Sequence, residues 1–305
     1  MASDELDRQL LEAQATLLAR VAPDTTVRRV RWMEGETQVF ELGDGPPLLL
    51  VHGGGDGAYE WVPFMPLLAR RHRVLAVDRP GHGLADPFDY EDVDLLRHAV
   101  VFLDGILDTL ELPTVDLVAN SMGGLWSVAF ALDRPSRVRR LAIAGHPPGV
   151  TRHAPMPLRA LGLPIVGKSI GRVMLGNPSR EGNRKFWGQV LVAHPERLAD
   201  ELLDVDVAHM RRNRDSTLGL VRRAVGPRGV RRDLLLGERW HALNVPTLFL
   251  HGERDAFMSP PVADAWQAIS ASNPNVRIVA VHDAGHLPWL DAPDAVLDEV
   301  ERFLA

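Results

Sequence analysis

Six short apolar runs, each closing on a polar or glycine-rich turn, constrain this chain more than any other feature. They are Leu48–Val51, Val74–Val77, Val115–Val118, Leu141–Ala144, Thr247–Leu250 and Val276–Val279. Nearly unbroken apolar character suits strands buried on both faces, and the helix-length segments between them suit βα crossovers. Two more strands, near Val27–Trp32 and Thr37–Leu42, come first and are joined by a turn at Glu34-Gly35. The expected fold is α/β: a mostly parallel eight-stranded sheet with helices on both faces. Such sheets bind ligands at the carboxyl ends of their strands. The turns His52-Gly53-Gly54-Gly55, Asp78-Arg79-Pro80-Gly81, Asn120-Ser121-Met122-Gly123 and His251 to Asp255 all lie there.

The flanks divide the chain further. Leu6, Leu10, Ala13 and Leu17 recur at helical spacing within Ser3–Val21, and Pro23 ends that helix. Residues 1–25 are thus expected to form an N-terminal helical extension, either covering the body or meeting a second copy in a homo-oligomer. The βα rhythm breaks after His146 and returns near Thr247, across a stretch punctuated by Pro155, Pro157, Pro164, Pro178 and Pro195. This predicts a core of residues 26–145 and 237–305 with a helical cap at 146–236. Arg152 to Arg239 contains 17 basic and 9 acidic residues, a local excess of +8 in a chain of net charge −6. Such a block suits either an anionic small-molecule substrate or a solvated, arginine-rich helical surface.

Several function classes drop out. The chain has no cysteine, which excludes disulfides, thiolate nucleophiles and cysteine-ligated metals. Its basic block lacks interleaved aromatic residues, which argues against nucleic-acid binding. The uncharged stretch Leu117–Leu132 is shorter than the roughly 18 residues of a membrane span and is broken by Asn120, Ser121 and two glycines. The first residues are acidic, unlike a secretory leader. The expectation is a cytoplasmic protein without membrane or nucleic-acid partners.

The strongest chemical signal is Val118-Ala119-Asn120-Ser121-Met122-Gly123-Gly124. A serine between a buried strand and a helix, flanked two residues away by small residues, sits on a tight turn that exposes its hydroxyl. A serine hydroxyl needs a base, and that base an orienting acid. Ala284-Gly285-His286-Leu287 follows the last strand and supplies His286 as the base. Asp255 follows the preceding strand and is the expected acid, with Glu253 the alternative; Asp283 stands too near His286 in sequence to orient it. The backbone amides of Gly54 and Met122 are the expected oxyanion donors, each typically worth roughly 3–4 kcal/mol in the transition state. No metal or organic cofactor is required.

These motifs, in this order, resemble the α/β-hydrolase superfamily from about Thr26 onward. A serine rather than an aspartate at the turn separates the chain from the haloalkane dehalogenase and epoxide hydrolase branches. Within the superfamily, His52-Gly53-Gly54-Gly55-Asp56-Gly57-Ala58 is similar to the HGGGPGA of the meta-cleavage product hydrolases, and Asn120-Ser121-Met122-Gly123-Gly124 to their GNSMGG. Those enzymes cut C–C bonds in vinylogous diketo acids. The resemblance implies substrate contacts at Gly55, Asn120, Leu287 and, through Glu181-Gly182-Asn183-Arg184, a carboxylate-binding Arg184. Three positions depart from the pattern: Asp56 replaces Pro, Pro63 replaces Asn, and Leu287 replaces the Trp after the histidine. Leu161, Leu163, Ile165, Val166, Phe186 and Trp187 are candidates to line an acyl pocket or to pack the cap. The expected function is a serine hydrolase of small carboxylic esters. The alternatives are a C–C bond hydrolase and a noncatalytic binding protein.

Overall fold

The computed structural model describes residues 2–174 and 176–305. Helix α1 (Ala2–Val21) precedes an antiparallel hairpin, β1 (Thr26–Trp32) and β2 (Gly35–Leu42), paired from Thr26↔Glu41 to Trp32↔Gly35. The chain then alternates through β3 (Pro47–Val51), the short α2 (Met65–Leu68), β4 (Arg73–Val77), α3 (Leu95–Thr109), β5 (Val115–Asn120), α4 (Ser121–Asp133) and β6 (Val138–Ala144). Here it leaves the sheet for α5 (Met156–Leu161), α6 (Gly167–Met174), α7 (Arg180–Val190), the long α8 (Asp200–Ala224) and a small hairpin, β7 (Val225–Gly226) with β8 (Gly229–Val230). It returns at β9 (Thr247–Gly252) and ends with α9 (Pro260–Ser272), β10 (Val276–Val281), α10 (Pro288–Asp291) and α11 (Pro293–Leu304).

Eight strands form one sheet in the order β1-β2-β4-β3-β5-β6-β9-β10, parallel from β4 to β10. The expected mostly parallel sheet is therefore present, and each anticipated strand falls on an observed one. The apolar runs are unbroken because alternate residues enter opposite cores. Leu49, Val51, Leu117, Ala119 and Ile143 pack with Phe102 of α3 and Trp126 of α4. Leu48, Leu50, Val118 and Ala142 pack with Leu68 of α2 and Val300 of α11.

Helix α1 packs against α8. Arg212 of α8 donates to Asp7 at 2.5 Å, and Arg20 pairs with Glu201. Among the described residues no helix is long and apolar enough to cross a membrane.

Candidate active site

The carboxyl ends of β3, β5, β9 and β10 meet under α7 and α8, around a cavity of about 350 Å³. Ser121 opens α4 directly after β5, with φ of 47°. That left-handed conformation is uncommon for a residue with a side chain and marks a strained turn. The turn is held by close main-chain packing. A side chain at Gly123 would overlap the carbonyl oxygens of Val51 and His52, and one at Gly53 would come within 2.5 Å of Asn120 Oδ1. Glycine alone allows this approach. It brings the loop after β3 beside the start of α4, where Gly54 and Met122 are neighbours on the cavity wall.

His286 lies between β10 and α10, and Asp255 between β9 and α9. The two are buried together, with His286 Nδ1 at 2.9 and 3.0 Å from the Asp255 oxygens. The carboxylate also accepts the Phe257 amide at 2.8 Å and the His146 amide at 3.1 Å. Burial pushes Asp255 up, but the facing His286 ring, its hydrogen bond and the Phe257 amide outweigh this and hold the carboxyl below its ordinary range. An ionised Asp255 fixes the Nδ1–H tautomer of His286 and leaves Nε2 as an acceptor. Ser121, His286, Gly54 and Met122 all line the cavity. Glu253 is bonded instead to His282 at 2.8 Å, and Asp283 to Arg254 and His194, each at 2.8 Å.

The loop after β3 is anchored from behind. Arg79, fully buried, donates to the carbonyl oxygens of His52 and Gly53. Ring nitrogens of His82 and His209 lie 3.2 and 3.1 Å from the carbonyl oxygens of Gly54 and Gly55. Burial holds the His52, His82 and His209 rings below their ordinary pKa, so they are neutral. The His286 loop is tied across to the helical segment: Asp291 accepts Gly285 N at 2.7 Å, Ala193 N at 2.8 Å and His194 N at 2.9 Å.

The remaining sequence candidates divide. Gly55 and Asn120 line the cavity, although the Asn120 amide is bonded to Ala144 O at 2.6 Å and His286 O at 3.2 Å. Leu287 does not reach it: the side chain is buried in the core and its amide bonds Leu191 O at 2.8 Å. Arg184 is likewise elsewhere. Its guanidinium donates to the carbonyls of Pro195 and Leu198 at 2.5 and 3.0 Å and to Asp200 at 2.6 Å, closing α7 onto the start of α8. Leu161, Phe186 and Trp187 line the cavity, whereas Ile165 and Val166 are exposed.

The basic block does not face this space, and among the described residues no Lys or Arg lines it. Several of its arginines form ion pairs instead, such as Arg180 with Asp200 and Asp204, and Arg223 with Asp233. The charged side chains on the wall, beyond the histidines, are Asp56 and Asp206. Buried Asp206 accepts Tyr59 Oη at 2.6 Å, Asn183 Nδ2 at 2.6 Å and Trp187 Nε1 at 2.9 Å, joining α8 to α7 and to the segment after β3. It has no local motif in the sequence; it is one of several buried polar residues on its face of α8, with His209, Asn213 and Thr217.

Residues 48–299 match the Alpha/beta hydrolase family. A 2-hydroxy-6-oxononadienedioate/2-hydroxy-6-oxononatrienedioate hydrolase of Cupriavidus pinatubonensis is 32% identical over 272 residues, covering 86% of this chain and 89% of that protein. Carboxylesterase CesB of Bacillus subtilis superposes with a TM-score of 0.76 at 22% identity, covering 99% of both chains. A 2-hydroxy-6-oxo-6-phenylhexa-2,4-dienoate hydrolase of Rhodococcus sp. strain RHA1 gives 0.74 at 20% identity, covering 92% of this chain and 99% of the other. At those identities the two structures speak for the fold alone. The family match and the full-length relative carry the assignment further: this chain belongs to the α/β hydrolase family.

Proposed function

We propose that this hydrolase cleaves a carboxylic ester of a small molecule with an apolar acyl or alcohol part. Ser121 is the nucleophile, His286 the base, and Asp255 the group that orients His286. The supporting observation is the left-handed Ser121 on the same apolar-walled cavity as a histidine already paired to a buried carboxylate. His286 Nε2 takes the Ser121 proton as Oγ attacks the ester carbonyl. The amides of Gly54 and Met122 receive the negative charge on the carbonyl oxygen, aided by the N-terminus of α4. The imidazolium returns its proton to the departing alcohol, leaving an acyl-serine. Water then adds by the same route in reverse roles. Residues 146–236 act as the cap that shapes the acyl space.

A second reading, C–C bond hydrolysis of a vinylogous diketo acid, draws on the name of the 32% identical relative. A wall without Lys or Arg among the described residues is a poor receiver for a dianionic substrate, and this favours the ester. The test is a panel of p-nitrophenyl esters and a yellow dienoate. Ester turnover is expected, with kcat falling about 10⁵–10⁶-fold in Ser121→Ala. Bleaching of the dienoate that depends on Ser121, with no ester turnover, would replace the first reading by the second. Full ester turnover in Ser121→Ala would overturn both.

A further inference from the structure

Exposed apolar side chains are not spread evenly over this molecule. Of the eight large ones exposed among the described residues, five lie between positions 156 and 186: Met156, Ile165, Val166, Val173 and Phe186. Ile165 is 91% exposed and Val173 82%. Single exposed apolar residues need no explanation, but a concentration of them marks a contact surface.

Packing turns them outward together. Helix α5 packs on α6, and a side chain at Gly167 would meet Leu161 O of α5. One at Gly171 would overlap the Leu218 side chain of α8. The side of α6 that carries Gly167 and Gly171 is therefore the inner one. At about 3.6 residues per turn, exposed Lys168, Arg172 and Val173 fall on the outer side. Ile165 and Val166 lead into its first turn, where Ile170 N bonds Val166 O at 2.9 Å. The same segments frame the cavity mouth. The exposed residues that line the cavity, His153, Pro157, Asn177, Ser179, Gly182 and Phe186, all belong to residues 153–186.

Charge decides what such a face can meet. Arg152 to Lys185 holds seven cations and one acid, Glu181. Arg180 and Arg184 are paired with acids of α8, but exposed Lys168, Arg172 and Lys185 have no ion pair among the described residues. A second copy docked on this face about a two-fold axis would set these cations against one another. An anionic lipid surface takes both features at once: apolar side chains enter the headgroup layer while the cations stay among the phosphates.

We propose that the outer face of residues 153–186, across α5 to α7, docks on an anionic bilayer and sets the cavity mouth against it. This replaces the expectation of no membrane partner, since lying on a bilayer needs no spanning helix. The claim concerns a surface and does not rest on the ester reading.

Cosedimentation with vesicles tests it, comparing phosphatidylcholine containing about one-third phosphatidylglycerol with phosphatidylcholine alone, at about 0.1 M salt. Partition onto the anionic vesicles is expected to be at least about tenfold stronger, and to fall at least about tenfold at about 1 M salt. Lys168→Gln with Arg172→Gln should weaken it about 25-fold, at about fivefold for each cation. Ile165→Ser with Val173→Ser should weaken it about tenfold. Arg70→Gln with Arg71→Gln, exposed at the amino end of β4, should change it less than about twofold. No partition, equal partition onto the two kinds of vesicle, or partition that survives both pairs of changes on this face would overturn the proposal. So would an equal loss in the Arg70 and Arg71 variant. A dimer in sedimentation velocity that Ile165→Ser with Val173→Ser dissociates, without vesicle binding, would assign the face to a second copy and also overturn it. The six side chains are exposed, and unfolding midpoints that match the parent exclude misfolding as the cause of a loss. If one pair on this face fails to fold, the other decides.

Discussion

The two walls of the cavity hold their polar groups in opposite ways. On the sheet side, Ser121, Asp255, His286 and Gly54 each stand just beyond the end of a strand, and main-chain contacts fix them: the Phe257 and His146 amides on Asp255, the Gly285 amide on Asp291, carbonyls clamped by Arg79. On the helical side, the groups are side chains in the middle of α8. Asp206 is held by other side chains, and Thr217 by none. On the function proposed above, chemistry that tolerates little displacement is built on the backbone, and the helical wall on replaceable side chains.

The comparison breaks if the sheet side proves expendable. Asp255→Asn preserves shape but removes the charge that fixes the His286 tautomer, and kcat is expected to fall about 10³–10⁴-fold with little change in KM. Steady-state kinetics on a neutral ester measures this; a loss below tenfold would mean that His286 is oriented by something else. On the helical side the expected effect is on stability. Asp206→Ala leaves two buried donors, Tyr59 and Trp187, and the partly buried Asn183 without an acceptor, and unfolding free energy should drop by about 3 kcal/mol in denaturant titration. A drop under about 0.5 kcal/mol would remove Asp206 as the link from α8 to α7 and to the segment after β3.

A third effect concerns pH. Burial, and then the Asp206 charge, push Asp56 up to about 7, well above an ordinary aspartate. The folded state therefore favours the protonated form. That contribution is full below about pH 4 and is lost as pH rises through about 7. Asp56→Asn should gain in unfolding midpoint relative to the parent as pH rises from 5 to 8, by differential scanning calorimetry at each pH. A constant gap would show that Asp56 does not titrate in this window.

The smallest effect is expected from Arg184→Ala. It removes bonds that close α7 on α8 without touching the cavity, so KM should change equally for anionic and neutral substrates. The stability loss is about 1 kcal/mol, as for a partly exposed pair. A selective loss for the anionic substrate would return Arg184 to the site.

The sheet side was far more legible in the sequence than the helical side. Each of its side chains lies within a few residues of an apolar run, so local pattern also gives spatial position. Ser121 additionally has small neighbours two residues away, which only a tight turn needs. Asp206 had no such marker, since a lone acid between Val205 and Val207 reads as an ordinary helix residue. Arg184 misled for a related reason. A run of cations looks the same whether it faces a ligand or its own chain, and its receivers, Pro195, Leu198 and Asp200, are brought near only by the turn between two helices. The hairpin of β7 and β8 escaped notice because two-residue strands have no period to read.

The contact at Gly123 has a further consequence. Because main chain meets main chain there, any side chain at position 123 would push the start of α4 away from the loop after β3, whatever residues surround the two. Descendants of this sequence can therefore exchange residues along α7 and α8 while the seat of α4 on the loop after β3 stays where it is.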